Sequence, residues 1–156
     1  MPSPPCGHTW PGLMAQALEL ARQGQAAGEV PVGALVAHAD GRVLGLAHNR
    51  CIADNDPTAH AEVLALRRAG EALGNYRLAD CVLVVTLEPC LMCTGALVHS
   101  RIAGVVYGAA DARAGAICSC CEGLEYSFHN HTVWHMGGVS SQECAALLRD
   151  FFQQNR

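Results

Sequence analysis

The chain has 156 residues, 51% hydrophobic and 15% charged, a balance that suits a compact globular protein and excludes a disordered or fibrous one. Its formal net charge is −4 and all ten basic residues are arginines, which excludes broad, non-specific nucleic-acid binding but leaves room for a local arginine patch. No run approaches the roughly 20 apolar residues that span a bilayer, "MPSPPCGHTWPG" lacks the pattern of a signal peptide, and nine irregularly spaced cysteines fit a reduced, cytoplasmic compartment.

Trp10, Leu13, Met14, Ala17, Leu18 and Ala21 recur at helical spacing and predict an amphipathic first helix. "VGALVA" and "RVLGLAH" read as strands flanking "HADG", whose Asp-Gly marks a hairpin turn. A helix is predicted from about His60 to Leu73, and "CVLVVTL" is the continuous apolar run of a buried central strand. Another helix begins near Cys90 and continues through Ala96 and Leu97. "AGVVYGA" is a further strand and "HTVWHM" a weaker one. Ser140 with Glu143 forms a capping box for a last helix, whose apolar stripe is Cys144, Leu147, Leu148, Phe151 and Phe152. A hairpin followed by alternating strands and helices predicts an α/β fold, a three-layer α/β/α sandwich around a mixed central sheet of about five strands. Without a repeat or a linker, residues 1–156 read as a single domain.

Two short stretches carry chemistry: "PTAHAEVLAL", beginning at Pro57, and "TLEPCLMC", beginning at Thr86. Cys90 and Cys93, three apart at a predicted helix start, share one face. Their side chains tilt toward the N-terminus, where the dipole and free N–H groups favour thiolate over thiol. Pro89 suits the opening of a helix. An imidazole from His60 would complete three protein ligands for zinc and leave the fourth tetrahedral position to water, as in a catalytic site. Glu62, two residues on, can reach the same pocket from another side. Zinc lowers the pKa of bound water to about 7, and an adjacent carboxylate can take that proton and deliver it elsewhere. Alone, H-x-E reads as a surface pair and C-x-x-C as a redox pair or chance. Together, each at a helix start, they form the signature of zinc-dependent nucleobase deaminases.

The likeness extends beyond the signature. "EVPVGALV", "NRCIADNDPTAHAEVLALR", "NYRLADCVLVVTLEPCLMCTGALVHSRIAGVVYGAADARAGA" and "ECAALLRDFF" resemble the bacterial tRNA adenosine deaminases almost segment for segment. The resemblance implies that His60, Cys90 and Cys93 hold one zinc per subunit and that Glu62 shuttles protons. It matches Asn49 to a contact of the target nucleoside, Val32 to a residue packed on the base, and Asp111 and Asn130 to positions near the RNA. Ala110 stands where that family commonly has an arginine. The implied activity is hydrolytic deamination of adenosine to inosine at the wobble position of a tRNA anticodon stem-loop, by a homodimer. Leu91, Met92, Ala96 and Leu97 supply apolar surface for that contact, and Arg50, Arg101 and Arg113 could anchor phosphates.

Two alternatives stand beside this reading. One keeps the chemistry on a free base or nucleoside such as guanine. The other is a non-catalytic, zinc-stabilised RNA-binding scaffold, against which Glu62 speaks because a structural zinc has no use for it. Cys118, Cys120, Cys121, His129, His131 and His135 suggest a second metal, but Cys-x-Cys-Cys is unlike the usual C-x₂₋₄-C knuckle, and loop thiols are the preferred reading.

Overall fold

Five strands and four helices make up the computed structural model, which describes residues 1–155. The strands are β1 (Gly33–His38), β2 (Val43–His48), β3 (Cys81–Leu87), β4 (Gly104–Ala109) and β5 (Trp134–Met136), in the sheet order β2-β1-β3-β4-β5. β1 runs antiparallel to β2 and β3, while the β3–β4 and β4–β5 pairs are parallel, so the sheet is mixed as expected. The hairpin between β1 and β2 turns through Ala39–Arg42, with Gly41 at φ +100°.

Successive side chains of a strand face opposite ways, and β1 shows it. Ala34 and Val36 join Leu83, Val85 and Val105 beneath α2 (Ala61–Leu73) and α3 (Leu91–His99). Leu35 and Ala37 join Val82, Val84 and Val106 beneath α1 (Trp10–Ala26) and α4 (Ser141–Gln154). Three layers result. β3 is covered on both faces, which is why its sequence is apolar throughout instead of alternating.

The helices sit close to the sheet because small residues meet at the contact. Ala65 and Ala69 of α2 are fully buried, and a Cβ on Gly45 of β2 would collide with the backbone oxygen of Ala65. Gly33 of β1 relates in the same way to Ala17 of α1.

Three local expectations change. Ser140 precedes α4 but has φ +53° and makes no side-chain cap hydrogen bond. A capping box needs an extended N-cap residue so that its oxygen faces the N3 amide, and the left-handed backbone turns it away. Of the α4 stripe only Cys144 is buried, and Phe152 is 54% exposed. β5 spans three residues, not six, since His131 instead uses its ring Nε2 on the Ile102 carbonyl (2.7 Å) before pairing begins.

Candidate zinc centre

His60 is the N-cap of α2 and Cys90 the N-cap of α3, both extended, and neither side chain caps its own helix. The side chains are thereby left for another task. Asn49, just after β2, does the capping for α2: its Oδ1 accepts from the Ala61 amide at 2.8 Å. Cys93 is the third residue of α3 and fully buried. The two thiols therefore meet as N-cap and third helical residue, because Cys90 is not yet helical, and not as neighbours on one helical face.

His60 Nδ1 lies 3.6 Å from Cys90 Sγ and 3.5 Å from Cys93 Sγ. The three donor atoms are all within 4.8 Å of one another. Zn–S bonds of about 2.3 Å and Zn–N bonds of about 2.0–2.1 Å at the tetrahedral angle require S···N separations of roughly 3.6 Å. The triangle fits zinc in donor type and in spacing.

The electrostatics follow from the crowding. The hydrogen bond with Cys93 pulls the Cys90 thiol down to about 4 against the effect of burial, with His60 adding to the pull. The same contact and burial push Cys93 upward. The contact with Cys90 raises His60 although burial opposes it, and the negative charges of Glu62 and Cys90 add to the rise. Glu62, the second residue of α2, is 4% exposed, and burial raises its carboxyl above the ordinary range. A carboxyl so placed beside a metal-donor set holds a proton more readily than an exposed one.

Two glutamates that the sequence reading passed over build the walls. Glu88, between β3 and Pro89, is 2% exposed. Its carboxylate accepts from the amides of Asp111 (2.9 Å), Cys118 (2.7 Å) and Ser119 (2.9 Å), and from the Ser119 hydroxyl. Burial pushes Glu88 upward, but the bonds from Ser119, Asp111 and Cys118 outweigh it and hold the carboxyl below its usual range. Glu29, also 2% exposed, accepts from the Ile52 and Ala53 amides at 3.1 and 2.9 Å and secures the loop leading to His60. A charged residue at the edge of an apolar run, as in "VVTLEPC", was the available signal.

The other predicted residues fall in different places. Val32 is buried in the core beneath α2, and its carbonyl accepts from the Asn49 amide at 3.2 Å. Asp111 joins the wall through Glu88, and its own carboxylate closes a turn on the amides of Arg113 and Ala114. Asn130 accepts from the Arg101 guanidinium past the C-terminal end of α3, so it belongs to that surface and not to the donor cluster. Arg50 is paired with Asp54 at 2.9 Å. Leu91 and Met92 are 59% and 39% exposed, whereas Leu97 is fully buried in the core. That corrects its placement among surface residues: four after Cys93, it shares that buried face.

The Cys/His-rich segment spends its side chains separately. Cys120 points to the Ala112 carbonyl (3.4 Å), His129 to that of Gly123 (2.8 Å), and Cys118 lies 3.9 Å from His135 Nδ1. Between α2 and α3 runs a groove of about 740 Å³ whose lining includes Val63, Leu66, Tyr76 and Ala96. No helix among the described residues is long and apolar enough to cross a membrane.

Comparison with known proteins places this geometry in context. The model of the cytidine and deoxycytidylate deaminase zinc-binding region matches residues 11–109, which include all three donors and Glu62. The tRNA-specific adenosine deaminase of Haemophilus influenzae is 45% identical over 92% of this chain and 83% of its own length. A structure solved in studies of A-to-I editing by tRNA:A34 deaminases superposes with a TM-score of 0.84 at 40% identity, over 87% of this chain and 98% of that one. A guanine deaminase from Nitrosomonas europaea superposes with a TM-score of 0.75 at 29% identity, over 96% and 86% of the two chains.

Proposed function

Because this chain belongs to the zinc-dependent cytidine and deoxycytidylate deaminase family, we propose that it converts adenosine to inosine at the wobble position of a tRNA anticodon loop, releasing ammonia. The observation that carries the chemistry is the three-donor triangle with a buried glutamate beside it. A structural zinc would use four protein ligands and has no need of a proton carrier. The substrate follows the relatives: the tRNA-specific adenosine deaminases are 36–45% identical, against 29% for the guanine deaminase.

When bound, zinc supplies a water of lowered pKa, about 7, as nucleophile. Glu62 would take one proton of that water as its oxygen bonds the amine-bearing ring carbon and pass it to the neighbouring ring nitrogen, then take the proton of the added hydroxyl and give it to the amine, which leaves as ammonia while the carbonyl forms. Burial, which makes its carboxyl a better proton acceptor than an exposed glutamate, suits it to both transfers. Asn49 commits its oxygen to Ala61, so its amide N–H groups remain to hold an acceptor of the nucleoside. Val32 packs against the base, while Asp111 and Asn130 lie along the flanking RNA. An anticodon-loop base is already outside a duplex, so the cost of flipping it is small.

The enzyme works as a homodimer of one-domain subunits, and the groove between α2 and α3, with exposed Leu91 and Met92 nearby, is the surface the second copy covers. It resides in the cytoplasm, a reading supported by nine cysteines that are all unpaired. The decisive assay follows ammonia release from an anticodon stem-loop, free adenosine and guanine in parallel. The stem-loop is expected to win by orders of magnitude. Faster turnover of guanine would make the protein a free-base deaminase, and a zinc-loaded protein inert on all three would make it a scaffold.

A further inference from the structure

The segment 122–131 presents an aromatic surface that the deamination chemistry does not use. Phe128 is 78% exposed and Tyr126 is 38% exposed. Their ring centroids are 5.4 Å apart, and His129 closes the group at 5.9 Å from Tyr126 and 4.9 Å from Phe128. The His129 ring and the turn that carries Tyr126 are held by backbone hydrogen bonds. His129 Nε2 bonds the Gly123 carbonyl at 2.8 Å, and the His129 amide donates to the Tyr126 carbonyl at 3.1 Å. Three rings ordered in water, with Phe128 almost bare, carry a solubility cost that an unused loop could avoid with polar residues.

Their place in the fold says what they face. Gly123, the anchor of His129, packs against the Thr94 side chain, and Thr94 follows the zinc donor Cys93. The Gly123 amide also donates to the Ala116 carbonyl, and the Ala116 amide to that of Pro89, the residue before Cys90. Upstream, Cys118 and Ser119 hang on Glu88. The loop is thus tied at its upstream end to the start of α3, and at its downstream end, through Asn130 with Arg101 and His131 with the Ile102 carbonyl, to the segment past the end of that helix. Arg101 donates to Asn130, the residue after His129, and brings a cation to the downstream end of the loop.

We propose that Tyr126, Phe128 and His129 form a stacking platform for an unpaired nucleobase flanking the target adenosine, with Arg101 beside it for the phosphate. The inference rests on the reading of the substrate as unpaired RNA. Every base has a π face, so a ring platform binds single strands without reading sequence, and loss of one stacked base costs roughly five- to a hundredfold in affinity. Such a grip also suits a protein with few basic residues, because stacking does not depend on a surplus of positive charge.

The test uses zinc-loaded protein and an anticodon stem-loop carrying 2-aminopurine, in turn, at each position flanking the target. Binding of the wild type is expected to quench the fluorophore at one position, a signal read without turnover. Phe128→Ala with Tyr126→Ala should remove the quenching and lower kcat/KM on the stem-loop at least fivefold. Turnover of free adenosine and zinc content should not change. Phe128→Trp should restore both signals and Phe128→Leu neither, and an abasic nucleotide at the quenched position should make wild type and variant equal. An unaltered kcat/KM in the double variant, quenching that survives it, or a change in its oligomeric mass in place of its RNA binding would overturn the proposal. Quenching without deamination would keep the platform and remove the proposed reaction.

Discussion

Replacing Glu88 tests whether the wall of the site is held by one carboxylate. Glu88→Ala removes the acceptor of three backbone amides and the Ser119 hydroxyl in a place that is 2% exposed. Each stranded donor costs about 1–3 kcal/mol. Water admitted to the space left by the carboxyl recovers part of this, so the lower end applies and the loss is roughly 3–5 kcal/mol. For a chain of this length about 1 kcal/mol corresponds to 2–4 °C, which predicts a fall in Tm on the order of 10 °C. Glu88→Gln keeps one accepting oxygen and turns an N–H₂ toward donors, so about half that loss is expected. Thermal unfolding of the zinc-loaded protein reads the size of the effect. Amide exchange at Asp111, Cys118 and Ser119 reads its place. If Glu88→Ala melts within 2 °C of wild type, the carboxylate does not organise this wall.

Metal analysis should find one zinc per chain, and Cys93→Ala should lose it along with much of the stability, since the donors join the starts of two helices. Glu62→Ala should keep zinc and fold while turnover falls ~10²–10⁴-fold; a variant retaining a tenth of the wild-type rate would remove Glu62 from proton transfer. Stem-loop affinity should fall gently with salt, with a log–log slope no steeper than roughly −2 at about −0.7 per phosphate contact, because the chain has only ten basic residues and Arg50 is paired with Asp54. Leu91→Asp with Met92→Asp should shift the mass by light scattering from dimer to monomer, and a wild type that is already monomeric would refute the proposed contact.

Much of the molecule could be read from residue types at fixed spacings. The apolar runs became the strands, and H-x-E with P-C-x-x-C became a triangle of donors, because both patterns are short-range and chemically distinctive. Glu88 and Glu29 escaped notice because their partners are backbone amides up to 31 residues away, which have no residue signature. The Ser140 box misled because the rule assumes an extended N-cap, and here the backbone is left-handed. Leu97 was a matter of helical phase and was readable: counting four from Cys93 puts it inside.

The glycine at position 45 reaches the chemistry from behind. It lets α2 rest with its backbone against β2 at Ala65, and the near end of that helix carries His60 and Glu62. A single methyl there would lift the helix as a lever, and displacements near 1 Å at a reacting centre can cost about a hundredfold in rate. A position that touches neither metal nor substrate thereby inherits the intolerance of an active-site residue. For anyone reshaping this enzyme, the map of permissive positions is drawn by what lies beneath α2, so variation belongs on the outer face of α4 and not on the quiet hairpin.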